Sequence, residues 1–141
     1  MKNINYKKLA IFIVIPLVLG GIVGLITMRG TSSYNGPVPR WLFPVVWSVL
    51  YILMGISSYI ISDNKKLLNI YKINLIVNLL WPIMFFLFKL KVLAFFWILI
   101  LILIVGYMIY KFYQENKLSS YLLTPYILWL VFASVLNLLE L

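Results

Sequence analysis

The chain of 141 residues is 65% hydrophobic and 11% charged, with a mean hydropathy of +1.07 and a formal net charge of +9. A soluble domain carries about 25% charged residues, so this composition excludes one. There is no Cys and no His, and Asp63, Glu115 and Glu140 are the only carboxylates, which excludes thiolate or imidazole metal sites, Ser-His-Asp triads and paired-carboxylate chemistry.

The twelve Lys and Arg stand in ones and twos between apolar stretches, with no basic face along a polar helix. That pattern argues for a membrane and against nucleic acid. Windows free of charge fall at 9–28, 41–62, 73–88, 92–110 and 118–139. A bilayer core of about 30 Å needs about 20 helical residues, so the chain reads as a single five-helix transmembrane domain over 1–141. The first window exceeds the usual 7–15 residues of a signal-peptide core and no A-x-A site follows, so it is expected to remain as a helix. Gly20 and Gly24 in it form a GxxxG, which suits intrachain packing or a homodimer contact equally.

The second window carries Trp47, Tyr51, Gly55 and Ser58 along one helical face. The third reaches spanning length only by starting near Ile70, with the Lys72 side chain snorkelling to the headgroups, giving a span over 70–88. It repeats the pattern with Asn74, Asn78, Trp81 and Phe85. The fourth is almost wholly Ile, Leu, Val and Phe through its middle, and the fifth repeats the stripe with Tyr126, Trp129, Ala133 and Asn137. Polar groups in hydrocarbon need partners or a cavity, so the three stripes are expected to face one another. Two readings stay open: helix packing and interfacial anchoring, or a cavity for a flat amphipathic ring.

Lys2, Lys7, Lys8, Lys65, Lys66, Lys72, Lys111 and Lys117 fall on one side of the bundle, against Arg29, Arg40, Lys89 and Lys91 on the other. The bias predicts a multi-pass protein of the cytoplasmic membrane with its N-terminus inside. No carboxylate lies deep in a span, which disfavours proton-coupled transport.

The run Pro39-Arg40-Trp41-Leu42-Phe43-Pro44-Val45-Val46-Trp47-Ser48-Val49-Leu50-Tyr51, continuing through Met54-Gly55 and Ser58-Tyr59, resembles the first loop and second helix of the translocator protein family, also called tryptophan-rich sensory proteins or peripheral benzodiazepine receptors. Two further blocks agree in order: Asn78, Trp81, Pro82, Phe85 and Phe86, then Pro125, Tyr126, Trp129, Phe132, Ala133, Leu136 and Asn137. The resemblance implies a five-helix bundle, often dimeric, that binds porphyrins such as protoporphyrin IX. In some members it implies cholesterol or benzodiazepine-type ligands, and in some bacterial members light- and oxygen-dependent porphyrin breakdown.

Carried over by position, the binding residues are Trp41, Trp47, Tyr51, Asn78, Trp81, Phe86, Trp129 and Ala133, with Trp47 and Trp129 as the redox-active pair if porphyrin is degraded. The expected function is a sensory porphyrin-binding protein holding a tetrapyrrole between helices two, three and five. A light-driven degrading enzyme and a passive lipid or sterol carrier are the alternatives. Arg29 and Arg40 are the expected partners of the propionates. Without His or Cys to ligate iron, a metal-free porphyrin is expected rather than haem, with no resident cofactor. The segment between Gly24 and Trp41 is several residues shorter than in the family, and the Tyr and Arg of the animal cholesterol motif have no counterpart, so cholesterol recognition is not carried over.

Overall fold

The computed structural model describes residues 4–31 and 42–139. Among them the helices run α1 (Tyr6–Thr31), α2 (Leu42–Ile60), α3 (Lys65–Pro82), α4 (Lys91–Glu115), α5 (Lys117–Leu122) and α6 (Thr124–Leu139), with a π-helical turn, Ile83–Leu87, continuing α3. Five segments are long and apolar enough to cross a membrane: Tyr6–Thr27, Leu42–Ile60, Lys65–Leu87, Lys91–Glu115 and Lys117–Leu139. The chain is therefore an all-α, five-span membrane protein. The last span is made of α5 and α6 together.

Asparagine caps, rather than hydropathy, set three of the helix starts. The Asn5 carboxamide oxygen accepts from the Lys8 N–H at 3.1 Å, that of Asn64 from the Leu67 N–H at 3.2 Å, and that of Asn116 from the Leu118 N–H at 2.9 Å. A side-chain acceptor at this position satisfies an N–H that has no partner inside the helix. Consequently the third span begins at Lys65, a turn earlier than Ile70, and its lysines extend the helix beyond the apolar window. Proline accounts for the interior irregularities. Pro82 has no N–H to offer the Asn78 carbonyl, and the helix widens into the π-turn, closed by Phe88 N–H to the Ile83 carbonyl at 3.0 Å. Lys89 then reverses the chain at φ 56°, and the Leu90 N–H reaches the Met84 carbonyl at 2.8 Å. Pro125 likewise denies a donor to the Tyr121 carbonyl, so the fifth span breaks at Leu123 and restarts with Ile127 N–H to the Leu123 carbonyl.

Lipid tails are as apolar as Leu, so side-chain hydrophobicity does not hold these helices together; close packing and interhelical hydrogen bonds do. α2 meets α1 at Gly55, where a Cβ would lie 2.7 Å from the Ile13 Cα and against the Phe12 carbonyl. α2 is tied to α5 by the Ser57 hydroxyl donating to the Ser119 carbonyl at 2.7 Å. α4 presents Ala94, Ile98, Leu101, Val105, Met108 and Phe112, all fully buried, as a seam against α3 and α6. Its Trp97 donates across to the Val77 carbonyl at 2.9 Å. α1 is the least enclosed span. It leaves Ile11, Val14, Ile15, Val18 and Ile22 about half exposed, as a lipid-facing surface requires.

Candidate functional site

The three stripes do converge, and their polar groups satisfy one another. The Tyr51 hydroxyl donates to the Asn78 carboxamide oxygen at 2.8 Å, and the Asn78 amide donates to the Tyr126 hydroxyl at 2.8 Å. That hydroxyl in turn donates to the Asn74 oxygen at 2.7 Å. One layer away, the Trp81 indole N–H donates to the Asn137 oxygen at 3.2 Å, while the Asn137 amide donates to the Lys91 carbonyl at 2.9 Å. Asn74, Asn78, Tyr126 and Asn137 are at most 1% exposed. This network fastens α2, α3 and α6 together through the middle of the bundle.

The aromatic rings pack over the network. Trp47 stacks on Tyr51, with centroids 5.7 Å apart at 30°, and meets Tyr126 and Trp129 edge-on, each at 6.5 Å. Trp81 stacks on Phe85 at 5.0 Å, and Phe43 meets Phe86 at 5.7 Å and Trp129 at 6.1 Å. Edge-to-face and offset pairs at these spacings contribute about 0.5–1.5 kcal/mol each beyond burial. The region between α2, α3 and α6 is thus occupied by the protein's own side chains.

Open space lies on the other face of Trp47 and Tyr51. A cavity of about 410 Å³ separates α1 from α2 and the π-turn. On one side stand Phe43, Trp47, Tyr51 and Phe86, and on the other the backbone of Gly20, Gly21 and Gly24 with Leu17 and Thr27. The glycines divide the work. A Cβ on Gly20 would collide with the Tyr51 ring, so Gly20 permits contact between the helices, whereas Gly21 and Gly24 have nothing within 4 Å of theirs. The hollow is a slot with a ring-lined wall and a backbone-lined wall. Its hydroxyls are already committed: Thr27 donates to the Val23 carbonyl at 2.9 Å and Ser48 to the Pro44 carbonyl at 2.7 Å within their own helices, and Tyr51 donates to Asn78 of α3.

Of the residues the sequence singles out, Trp47, Tyr51 and Phe86 line this slot. Asn78 lies behind Tyr51, Trp81 is buried 3% exposed beside Phe86, and Ala133 is fully buried in α6. Trp129 lines a separate apolar groove of about 480 Å³ between α2 and α6, with Val49, Leu128 and Phe132. Its indole N–H is buried with no hydrogen-bond partner among the described residues. Trp41, Arg40 and the Arg29 side chain lie outside the described residues. The α1 wall is what sequence reasoning missed. Its signal was the Gly20-Gly21 and Gly24 cluster, which reads as a packing motif until the partner helix is known.

The network gives a direct expectation. Asn78→Ala strands the Tyr51 donor and one contact of Tyr126, at a cost of about 1–3 kcal/mol by the range for unsatisfied buried groups. Denaturant unfolding in detergent measures it. Tyr51→Phe should cost less in the Asn78→Ala background than in the unmodified protein, because the bond it removes is already gone.

The profile of the TspO/MBR family matches residues 12–139. The Tryptophan-rich protein TspO of Archaeoglobus fulgidus is 31% identical, with 94% of each chain covered. Protein CrtK of Rhodobacter capsulatus is 36% identical over 70% of this chain and 66% of its own, and the Translocator protein of Bos taurus 31% identical over 84% and 80%. Five apolar spans, an aromatic and carboxamide core on the second, third and fifth of them, and a family profile covering nearly the whole chain lead to one assignment: the chain belongs to the TspO/MBR family.

Proposed function

We propose that this protein is a membrane receptor for a metal-free porphyrin or related tetrapyrrole, which lies in the slot between α1 and α2 with one face on Trp47, beside the point where the Tyr51 ring closes on Gly20. The observation that carries the reading is the shape of that slot, in which Phe43, Trp47 and Phe86 stand opposite the open backbone of Gly21 and Gly24. A flat ring can lie against such a wall with its edge extending out of the slot, and a volume of about 410 Å³ sits within the usual range of about 300–1,000 Å³ for small-molecule sites. The α1–α2 slot replaces the space between helices two, three and five as the proposed seat, because there the rings and amides already engage one another.

Titration of detergent-purified protein with protoporphyrin IX in darkness tests the reading. Saturable quenching of tryptophan fluorescence at micromolar concentrations is expected. No quenching would favour a passive lipid or sterol carrier. Illumination in air separates binding from the degrading-enzyme reading: breakdown products lost in Trp47→Phe would establish the enzyme, and unchanged porphyrin would leave a receptor.

The proposed orientation has the N-terminus, the turn after α2 and the end of α4 in the cytoplasm, from the lysine excess at that end. The absence of native cysteine makes a clean measurement available. In intact cells, a membrane-impermeant maleimide is expected to label Lys89→Cys and to leave Ser62→Cys unlabelled. The reverse pattern would invert the topology.

A further inference from the structure

A polar groove of about 590 Å³ lies between the first turns of α3 and the last turns of α4, remote from the aromatic slot. Lys66 and Asn69 of α3 face Tyr107, Lys111, Gln114 and Glu115 of α4 across it. Its charges are not balanced from within. Glu115 accepts a hydrogen bond from the Asn64 amide at 3.2 Å, and Asp63 pairs with Lys8 at 3.8 Å, so among the described residues neither Lys66 nor Lys111 has a carboxylate partner. Lys111 is half-buried and held with its ammonium 5.7 Å from the Tyr107 ring and 5.8 Å from that of Tyr110. Those rings fix the position of the charge without neutralising it.

Both sides of the groove continue as apolar ladders toward the bilayer centre. On α3 the face that starts with Lys66 and Asn69 runs on through Ile73 and Ile76, which are 54% and 61% exposed. On α4 the face that ends with Lys111 runs back through Tyr107, Leu103 and Ile100, 52%, 73% and 51% exposed. Spacings of three and four residues keep each set in line. The result is a cationic, hydrogen-bonding head at the helix ends above an apolar track, at the end of the bundle where the sequence concentrates eight of its twelve basic residues.

We infer that this groove is a specific site for one anionic phosphoglycerolipid. Its phosphate accepts from the Lys66 and Lys111 ammonium groups. Hydroxyls of a glycerol headgroup exchange hydrogen bonds with Asn69, Gln114 and the Glu115 carboxylate, and an acyl chain lies along Ile73, Ile76 and Leu103. A zwitterionic choline head lacks those hydroxyls and brings a bulky cation against two lysines, so it is the disfavoured ligand. A basic pocket between transmembrane helices at the headgroup level is suited to this chemistry.

The test is native mass spectrometry of the intact protein released from mixed phosphatidylglycerol and phosphatidylcholine micelles. One retained phosphatidylglycerol per chain is expected. The double variant Lys66→Gln/Lys111→Gln should lose that retention roughly 30-fold, the fall that corresponds to removing two cations from a headgroup site. Lys65→Gln/Lys72→Gln makes the same change of charge outside the groove and should retain the lipid. Equal loss in both doubles would mean diffuse surface charge and overturn the site, as would no loss in either. Displacement of the lipid by millimolar inorganic phosphate would identify the groove as a free-phosphate site and overturn the lipid assignment. Thermal unfolding of each double in lipid-free detergent checks the fold, and Lys111→Arg, which keeps the charge, should retain the lipid if a lysine-to-glutamine double proves unstable.

Discussion

Gly55→Val is expected to lower the thermal unfolding midpoint in detergent by roughly 10 °C. A Cβ at position 55 would stand 2.7 Å from the Ile13 Cα and against the Phe12 carbonyl, and backbone cannot swing aside as a flexible side chain does. The helices would have to part, and overpacking of this kind costs about 1–3 kcal/mol or more. A domain of this size loses roughly 2–8 °C per kcal/mol. Parting α1 from α2 also loosens the slot, so porphyrin affinity should fall with stability. Gly106→Ala is the control. The nearest atom to its Cβ would be the Ile127 Cδ1 at 3.9 Å, and removal of a glycine from a helix interior favours the helix by up to about 1 kcal/mol. An unchanged midpoint for Gly55→Val would mean that α1 and α2 do not approach at this point.

Trp47→Ala carries the largest expected effect on binding. Trp47 is partly buried and forms the ring wall with Tyr51, so a porphyrin stacked there buries one indole face. Losing a buried side chain of that size removes about 1.5–3 kcal/mol of contact, which corresponds to a fall in affinity of roughly 10–100-fold. Trp47→Phe, which keeps a ring, should fall between. Trp81→Phe should weaken the fold through its lost bond to Asn137 while leaving affinity nearly unchanged, because Trp81 lies behind Phe86 and outside the lining. Dark titrations read by porphyrin absorbance, with unfolding midpoints taken in parallel, separate the two outcomes. If Trp81→Phe costs more affinity than Trp47→Ala, the ring is seated elsewhere.

Much of this architecture was legible in the amino-acid sequence because a bilayer is a demanding solvent. Charge-free windows of spanning length leave little choice but helices, and the polar residues they contain must meet. Asn74, Asn78 and Asn137 therefore pointed inward before any coordinates, and the structure brings Asn78 between Tyr51 and Tyr126. Helix boundaries were harder to read. Window arithmetic starts the third span at Ile70 and takes the fifth as one helix, whereas the Asn64 cap and the missing N–H of Pro125 decide otherwise, and neither registers in hydropathy. The slot was harder still. A stripe of rings and amides marks where polar groups gather, but not whether they fill the space with one another or leave it open. That depended on Gly21 and Gly24 of a different helix, whose contribution is the absence of a side chain, and a GxxxG does not say which of its glycines touches a neighbour.

Gly24→Leu offers the most direct measurement of the proposed seat. Nothing lies within 4 Å of a Cβ at position 24, so the leucine has room to enter the slot with no clash at its first atom, and the unfolding midpoint is expected to hold. The added side chain takes the space opposite Trp47, and the affinity read by protoporphyrin IX quenching is expected to fall at least tenfold. Full quenching by a stably folded Gly24→Leu protein would contradict the account, since a porphyrin bound between α1 and α2 cannot share that slot with a leucine.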